Sequence, residues 1–187
     1  MIEIIIHGRG AQGAVTFSQI LAVAANYFGR YCQAFPSFGP ERCGAPVEAY
    51  ARIADRVINL RSQIYEPDIA VVLDASLLKV RDITSGMRKN GVIIINTNKK
   101  LSELNIKNRH NFKVYGVDAT SVALKIFKKN IVNTAMLGAF VAVTGLVTLE
   151  SVYKGIEKRF EDKEELIKLN KEAVKSVYNK IRKHITK

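Results

Sequence analysis

A glycine-rich loop near the N-terminus is the clearest candidate for chemistry in this sequence. In IIIHGRGAQG the glycines have the spacing G-x-G-x-x-G, after a short apolar run and before a segment with helical periodicity. Free backbone N–H groups and the helix dipole at the start of a helix favour an anion, typically a phosphate. We therefore predict an anion-binding or cofactor-binding loop formed by Gly8, Arg9, Gly10, Gln12 and Gly13.

The acidic residue that a dinucleotide site requires is missing from its expected place. A Rossmann-type site has Asp or Glu about 20 residues after the loop, at the end of the second strand, where it binds a ribose. We predict that strand near RYCQAF, residues 30–35, which contains no carboxylate; the first acid after Glu3 is Glu41. Three interpretations stay open: an NAD site, a site for another anionic group, and a tight turn or subunit contact.

A second stretch, AFPSFGPERCGAPVEAY at residues 34–50, contains three prolines around a charged pair. Proline fixes φ and so lowers the entropy lost on ordering, and Phe and Arg are favoured in the centre of protein interfaces. The alternative is a well-packed loop that closes one end of a sheet. We predict that the stretch contacts a partner or ligand through Phe35, Phe38, Glu41 and Arg42.

No pattern typical of a catalytic or metal centre occurs in the sequence. Ser37 and Ser62 have no neighbouring histidine, and no G-x-S-x-G elbow or pair of carboxylates stands out. Cys32 and Cys43 are too few for an iron–sulfur cluster or an all-cysteine zinc site, and we expect free thiols. We therefore predict no catalytic residue and no metal in this chain, which favours a binding role.

The charge of the chain predicts an acidic partner without identifying it. The formal net charge is +12, which attracts nucleic acid, phosphorylated ligands or acidic proteins. Many lysines alternate with glutamates at helical spacing, as in Glu164 and Lys168, which is typical of an exposed helix face. Because aromatic residues are not interleaved with the lysines, we predict no nucleic-acid binding.

The chain has no apolar run of ~20 residues and no basic leader, so we expect a cytoplasmic protein without a membrane partner.

The elements that position these motifs alternate between strands and helices. Helical spacing predicts helices over Val15–Tyr27 and after Asp74, and a buried core helix over residues 135–149. Strands are predicted at 2–6, 67–74, 91–97 and 113–119. Strands that are apolar on both faces and separated by helices belong to a parallel sheet between helix layers.

One segment departs from this pattern. PVEAYARI, residues 46–53, alternates between apolar and polar residues and is followed by VINL, which predicts a β-hairpin with one wetted face. We expect a single domain, residues 1–187, of the α/β class. It is predicted to be a three-layer α/β/α structure with a mixed, mainly parallel sheet, an edge β-hairpin and a helical C-terminal region from about Asn133.

Three segments together resemble the γ subunit of 2-oxoacid:ferredoxin oxidoreductases, especially the pyruvate type: HGRGAQGAVT, QAFPSFGPERCGAPVEAYARI and LRSQIYEPDIAVVLD. The resemblance implies an accessory or assembly subunit of a complex that converts pyruvate, coenzyme A and oxidised ferredoxin into acetyl-CoA, carbon dioxide and reduced ferredoxin. The isolated chain is then expected to be inactive. Two alternatives stay open: the small subunit of an enzyme for branched-chain, indolepyruvate or 2-oxoglutarate substrates, and a stand-alone nucleotide-binding module.

The resemblance also implies where the cofactors lie. Thiamine diphosphate, magnesium and iron–sulfur clusters are expected in the partner α, β and ferredoxin-like δ subunits, and none in this chain. Coenzyme A, a co-substrate of the complex, has phosphates that Arg9, Gln12 and Arg42 could contact without a ribose-binding carboxylate.

The sequence departs from the family at two positions. The family's loop commonly reads Gly-Arg-Gly-Gly-Gln-Gly, whereas Ala11 stands here, and Cys43 replaces a residue that is commonly basic. Alanine tolerates a positive φ poorly, so we expect Ala11 to restrict the loop. The neutral Cys43 removes a charge from any anion contact at that position.

Overall fold

The computed structural model describes residues 1–37 and 44–185. Within these ranges the centre is a mixed six-stranded sheet with the strand order β2-β3-β1-β4-β5-β6. The strands are β1 (Ile2–Arg9), β2 (Tyr31–Pro36), β3 (Pro46–Ala54), β4 (Ile69–Val72), β5 (Val92–Asn96) and β6 (Lys113–Val117). Strands β1, β4, β5 and β6 run parallel, whereas β3 pairs antiparallel with both β1 and β2.

Five α-helices cover one face of the sheet. They are α1 (Ala14–Tyr27), α2 (Ala119–Phe127), α3 (Asn133–Thr144), α4 (Leu149–Arg159) and α5 (Glu164–Ile185). Their apolar side chains form one core with Ile4 and Ile6 of β1. Because successive side chains of a strand point to opposite faces, Ile5 belongs to a second core on the other face.

Helix α3 lies at the centre of the helical layer. All nine residues from Asn133 to Val141 are buried, as expected for a helix that is apolar all round. Gly138 lets α3 approach α5 closely, because a Cβ atom there would lie 2.1 Å from the carbonyl oxygen of Val174. The buried helix predicted over residues 135–149 is therefore present but ends at Thr144, where Gly145 adopts a left-handed conformation.

The α/β class, the mixed sheet and the helical C-terminal region are confirmed. The predicted helix layer on the second face is absent from the described residues, because their α-helices all pack on the first face. Among the described residues, the predicted α-helix directly after Asp74 is replaced by a short 3-10 helix over Ala75–Lys79. Asp82 accepts a hydrogen bond from the backbone N–H of Thr84 at 3.0 Å, which favours a turn over a continuing helix.

The edge hairpin is present with a different partner strand. Residues 57–60 form no strand, and β3 pairs instead with β2 at the edge of the sheet. The segment after β3 crosses over the sheet face, where the Ser62 carbonyl accepts a hydrogen bond from Arg52 Nη2 at 2.7 Å. The predicted wetted face is therefore wrong, because Tyr50 and Arg52 are only 2% and 1% exposed.

No helix of the described ranges is both long enough and apolar enough to span a membrane.

Candidate functional site

The glycine-rich loop lies where the order of the strands reverses. From β1 the chain passes to β2 and β3 on one side of the sheet and then returns to β4 on the other side. In open α/β sheets, ligands bind beyond the carboxyl ends of the strands at this switch point. A crevice of about 550 Å³ lies there, and its lining includes Gln12, Asp74, Ser76, Asn96 and Asp118.

The start of α1 fixes the conformation of the loop. Gly13 is the N-cap of α1 with a φ of 78°, which favours glycine. Space excludes a side chain as well, because a Cβ atom there would lie 2.2 Å from Asn133 Nδ2. Ala11 also adopts a left-handed conformation, with a φ of 72°. Alanine therefore stands at a position whose backbone conformation favours glycine.

Arg9 is already paired within the protein. Its Nε lies 3.2 Å from Asp74 Oδ2, its Nη2 donates to Ser76 Oγ at 2.8 Å, and its Nη1 donates to the carbonyl of Gly44 at 3.1 Å. These contacts orient the guanidinium, and Asp74 compensates its charge. An anion at the loop would therefore compete with Asp74 for Arg9.

Gln12 completes the same network. Its Oε1 accepts a hydrogen bond from the Arg9 backbone N–H at 2.8 Å, and its Nε2 donates to Asp74 Oδ2 at 3.1 Å. Burial acts to raise the pKa of Asp74, but hydrogen bonds from Ser76 and Gln12 and the charge of Arg9 outweigh it, so the pKa is lowered. Asp74 therefore remains an anion at neutral pH, beside the loop that we expected to bind one.

The sequence did not predict that Asp74 pairs with Arg9. Asp74 lies 65 residues from Arg9, and only the pairing of β1 with β4 brings the two together. Its position directly after the apolar strand PDIAVVL was the available signal, because carboxyl ends of parallel strands meet at one edge.

Asn96 holds the far side of the crevice in place. Its Nδ2 donates to the carbonyl of Leu73 and to Thr120 Oγ1, both at 2.9 Å, and its Oδ1 accepts from the backbone N–H of Ala119 at 3.0 Å. The side chain is buried, and these bonds tie the ends of β4 and β5 to the start of α2. Asn96 is therefore a positioning residue.

The predicted contact residues around position 40 are described only in part. Phe35 lies in β2, where its ring is 5.4 Å from the ring of Tyr50 and 5.3 Å from Arg52 Cζ. This half-buried position stabilises the sheet face. Phe38, Glu41 and Arg42, together with Cys43, lie outside the described residues.

The sequence also did not predict a partly buried polar cluster around Glu48. Glu48 accepts hydrogen bonds from Arg81 Nη1 at 2.8 Å and from the Tyr50 hydroxyl at 2.9 Å, and its Oε1 lies 3.5 Å from His7 Nδ1. The hydrogen bond with His7 is the main reason that the pKa of Glu48 falls to about 2, and the charges of His7 and Arg81 act in the same direction. The cluster joins β1, β3 and the segment after β4.

The described residues contain neither a group of possible metal ligands nor a reactive thiol. Residues 1–37 and 44–185 contain no group of three or more His, Cys, Asp or Glu side chains that could hold a metal ion. Cys32 is a free thiol, and burial raises its pKa to about 12, which keeps it protonated.

The fold and this site define the chain as an α/β protein with a crevice at the switch point of its sheet. It belongs to the pyruvate ferredoxin/flavodoxin oxidoreductase family, whose model matches residues 3–180.

Relatives match along nearly the whole chain. The chain is 51% identical to the pyruvate synthase subunit PorC of Methanocaldococcus jannaschii, over 98% of each chain. It is 50% identical to the pyruvate/ketoisovalerate oxidoreductases common subunit gamma of Thermococcus kodakarensis, over 96% of this chain and 97% of that relative. The crystal structure of the pyruvate oxidoreductase subunit PORC of Thermotoga maritima is 43% identical, covers 96% of both chains and has a TM-score of 0.83.

Proposed function

We propose that this chain is the γ subunit of a multi-subunit pyruvate:ferredoxin oxidoreductase, which forms acetyl-CoA, carbon dioxide and reduced ferredoxin from pyruvate, coenzyme A and oxidised ferredoxin. The observation that carries this proposal is the 51% identity to a pyruvate synthase subunit over 98% of both chains. Identity at this level along nearly the whole of both chains supports a common place in the complex.

The role that we propose for the chain is structural and accessory. The crevice contains a network of mutually paired polar side chains, and Arg9 is oriented by Asp74 and Ser76. We assign thiamine diphosphate, magnesium and the iron–sulfur clusters to partner α, β and ferredoxin-like δ subunits in the cytoplasm. Nucleic acid is not part of the proposal, because aromatic side chains are not interleaved with the lysines as a stacking surface for bases requires.

Coenzyme A is the proposed ligand of the crevice. The loop residues Gly8, Gly10 and Gly13 bring backbone close to the space before α1, and the N-terminal end of a helix favours phosphate. Backbone N–H groups within the loop, such as that of Gly10, already donate to protein carbonyls, and Asp74 compensates Arg9. The contact that we propose therefore uses the backbone N–H groups in the first turn of α1 first and the remaining N–H groups of Arg9 second.

A second candidate function is a γ subunit shared by more than one 2-oxoacid oxidoreductase. It is favoured by the Thermococcus kodakarensis relative, which is named as a common subunit of pyruvate and ketoisovalerate oxidoreductases. Under this candidate the chain would carry no determinant of substrate choice. Purification of the tagged chain from its native host should then recover two sets of α and β subunits, whereas a dedicated subunit recovers one set.

The same purification tests the main proposal. Mass spectrometry should identify α, β and δ subunits in the eluate, and the eluate should reduce a viologen dye with pyruvate and coenzyme A. The chain purified alone should be colourless and inactive. Recovery of the chain without other subunits, with a nucleotide bound in stoichiometric amount, would instead support a stand-alone nucleotide-binding module.

A further inference from the structure

Five large apolar side chains lie exposed around the antiparallel edge of the sheet. They are Tyr27 (60% exposed), Phe28 (40%), Tyr31 (49%), Val57 (61%) and Leu60 (47%), and we call them the edge patch. The crevice lies elsewhere: Tyr31 pairs with Ala54 beside the amino end of β1, whereas the crevice lies beyond the carboxyl end.

Direct contacts join the two segments that form the edge patch. Arg30 lies between them, with its Cζ 5.8 Å from the centre of the Phe28 ring and its Nε 3.4 Å from Asp55 Oδ1. Further along β2, Gln33 Nε2 donates to the carbonyl of Ile58 at 3.3 Å. The turn after α1 and the segment after β3 are therefore neighbours at this edge of the sheet.

The edge patch is held in place before any partner binds. The segment that carries Val57 and Leu60 is anchored through its backbone by Gln33 at one end and by Arg52, which donates to the carbonyl of Ser62 at 2.7 Å, at the other. Arg52 is itself buried in an ion pair with Glu3 at 2.9 Å. Such a surface loses little conformational entropy on binding, because its backbone is already ordered.

The residue types and charges of the surface indicate the chemistry of its partner. Tyrosine and arginine are enriched among the residues that contribute most to protein interfaces, and exposed apolar patches commonly mark such contacts. Arg56 and Arg61 are exposed in the same segment and Asp55 is paired with Arg30, so the net charge around the apolar surface is positive. A second copy of this chain would bring like charges together, since the net charge is +12. An acidic partner is therefore favoured over self-association.

We propose that the edge patch docks another subunit of the oxidoreductase complex, one that presents an apolar surface with an acidic rim. This inference rests on the proposed function, since it assumes that the chain joins such a complex. The antiparallel edge would then serve assembly, while the switch-point crevice at the other end of β1 stays open to coenzyme A.

The test compares patch variants with a matched control in the reconstituted complex. Tyr31→Ser combined with Val57→Ser removes apolar contacts from the edge patch. Leu124→Ser combined with Leu166→Ser is the control, because these residues are similarly exposed (49% and 39%) on α2 and α5. We expect the patch variant to bind the remaining subunits at least about tenfold more weakly than wild type, and the control within about twofold.

A charge variant keeps the test independent of folding. Arg56→Glu combined with Arg61→Glu changes only exposed side chains, so the thermal midpoint should stay at the wild-type value. We expect slower association with the remaining subunits and a weaker dependence of the association rate on salt.

Each outcome decides between alternatives. If wild type assembles and the patch and charge variants assemble equally well, the edge patch is not the docking surface and the proposed function stands. If wild type itself does not join the other subunits, the proposed function fails and this inference fails with it. If the patch variants only convert a dimer of this chain into monomers, the occupant is a second copy, and our assignment is wrong.

Discussion

Ala11 is the residue at which the sequence and the backbone disagree most clearly. A left-handed conformation costs a non-glycine residue roughly 1–2 kcal/mol, and Ala11 has a φ of 72° in an exposed loop. Replacing it with glycine relieves that strain but increases the freedom of the unfolded chain, which costs about 0.4–1 kcal/mol. We expect Ala11→Gly to raise the free energy of unfolding by about 0.5–1 kcal/mol, measured by urea denaturation.

A matched alanine provides the control for this prediction. Ala22 lies within α1, where glycine lowers helix stability by about 1 kcal/mol. Ala22→Gly should therefore be destabilising, so the two substitutions have opposite signs. A destabilised Ala11→Gly variant would show that the strain at position 11 is smaller than the entropic cost of glycine in the unfolded chain.

Glu48 links stability to pH at the residue scale. Its pKa in the folded protein is about 2, below its ordinary value of 4.5, so its contribution to stability is fully present above pH 4.5. That contribution is lost as the pH falls from 4.5 towards 2. We expect Glu48→Gln to lower the free energy of unfolding by about 2 kcal/mol at pH 7, allowing for partial solvent screening, and the difference from wild type to shrink below pH 4.5.

Urea denaturation at several pH values between 3 and 8 measures this difference. Glu172→Gln, on the exposed face of α5, removes a carboxylate without touching the cluster and serves as the control. A difference between wild type and Glu48→Gln that stays constant down to pH 3 would contradict the assigned cause, since it would not depend on ionisation of Glu48.

At the scale of elements, local periodicity predicted the strands and α1 but not their long-range partners. β1, β4, β5 and β6 were found because their apolar runs are long and bounded by turn residues. The partner of β3 could not be inferred, because alternation shows only that a strand has two unlike faces. The segment after β3 covers the sheet face that carries Arg52. This covering depends on hydrogen bonds from Arg52 and Gln33 to residues that lie 10 and 25 positions further along the chain.

The junction between the glycine-rich loop and α3 offers an element-scale prediction. Gly13→Ala should destabilise the protein for two reasons: its φ of 78° and the approach of the new Cβ to Asn133 Nδ2. We expect a loss of about 2–3 kcal/mol, of which the φ accounts for roughly 1–2 kcal/mol. Because the two residues are in contact, Asn133→Ala should recover the steric part in the double variant.

A double-mutant cycle from chemical denaturation measures that coupling. If the losses in free energy of unfolding for Gly13→Ala and Asn133→Ala are strictly additive, the new Cβ atom makes no steric contact with Asn133. Gly13→Val, which crowds the junction further, should lower stability and assembly into the complex together.

At the scale of the whole molecule, the sequence predicted the fold class and the place of the glycine-rich loop between β1 and α1. The strand order, which the sequence did not predict, places that loop at the switch point of the sheet. The pairing of Arg9 with Asp74 required knowledge of which strands are neighbours, which no local pattern contains. The prediction that residues 1–187 form a single domain, and the contact role of Phe38, Glu41 and Arg42, stay predictions.

Substitutions of Arg9 and Asp74 should change the coenzyme A requirement of the complete complex in opposite directions. If Arg9 contacts a phosphate of coenzyme A, Arg9→Ala removes a charge-assisted hydrogen bond worth roughly 1.5–3 kcal/mol. The reconstituted complex should then need about tenfold more coenzyme A for half-maximal rate, with its pyruvate requirement unchanged. Asp74→Asn frees Arg9 from its ion pair and should lower the coenzyme A requirement.

Steady-state rates with a viologen dye at varied coenzyme A, and separately at varied pyruvate, distinguish the two roles of Arg9. Lys175→Ala, which removes an exposed charge from α5, should leave both requirements at wild-type values and so controls for net charge. If Arg9→Ala and Asp74→Asn lower stability together and neither shifts the coenzyme A requirement, the pair holds β1 to β4. Arg9 would then have no part in binding, and any coenzyme A contact at the loop would rest on the backbone N–H groups in the first turn of α1 alone.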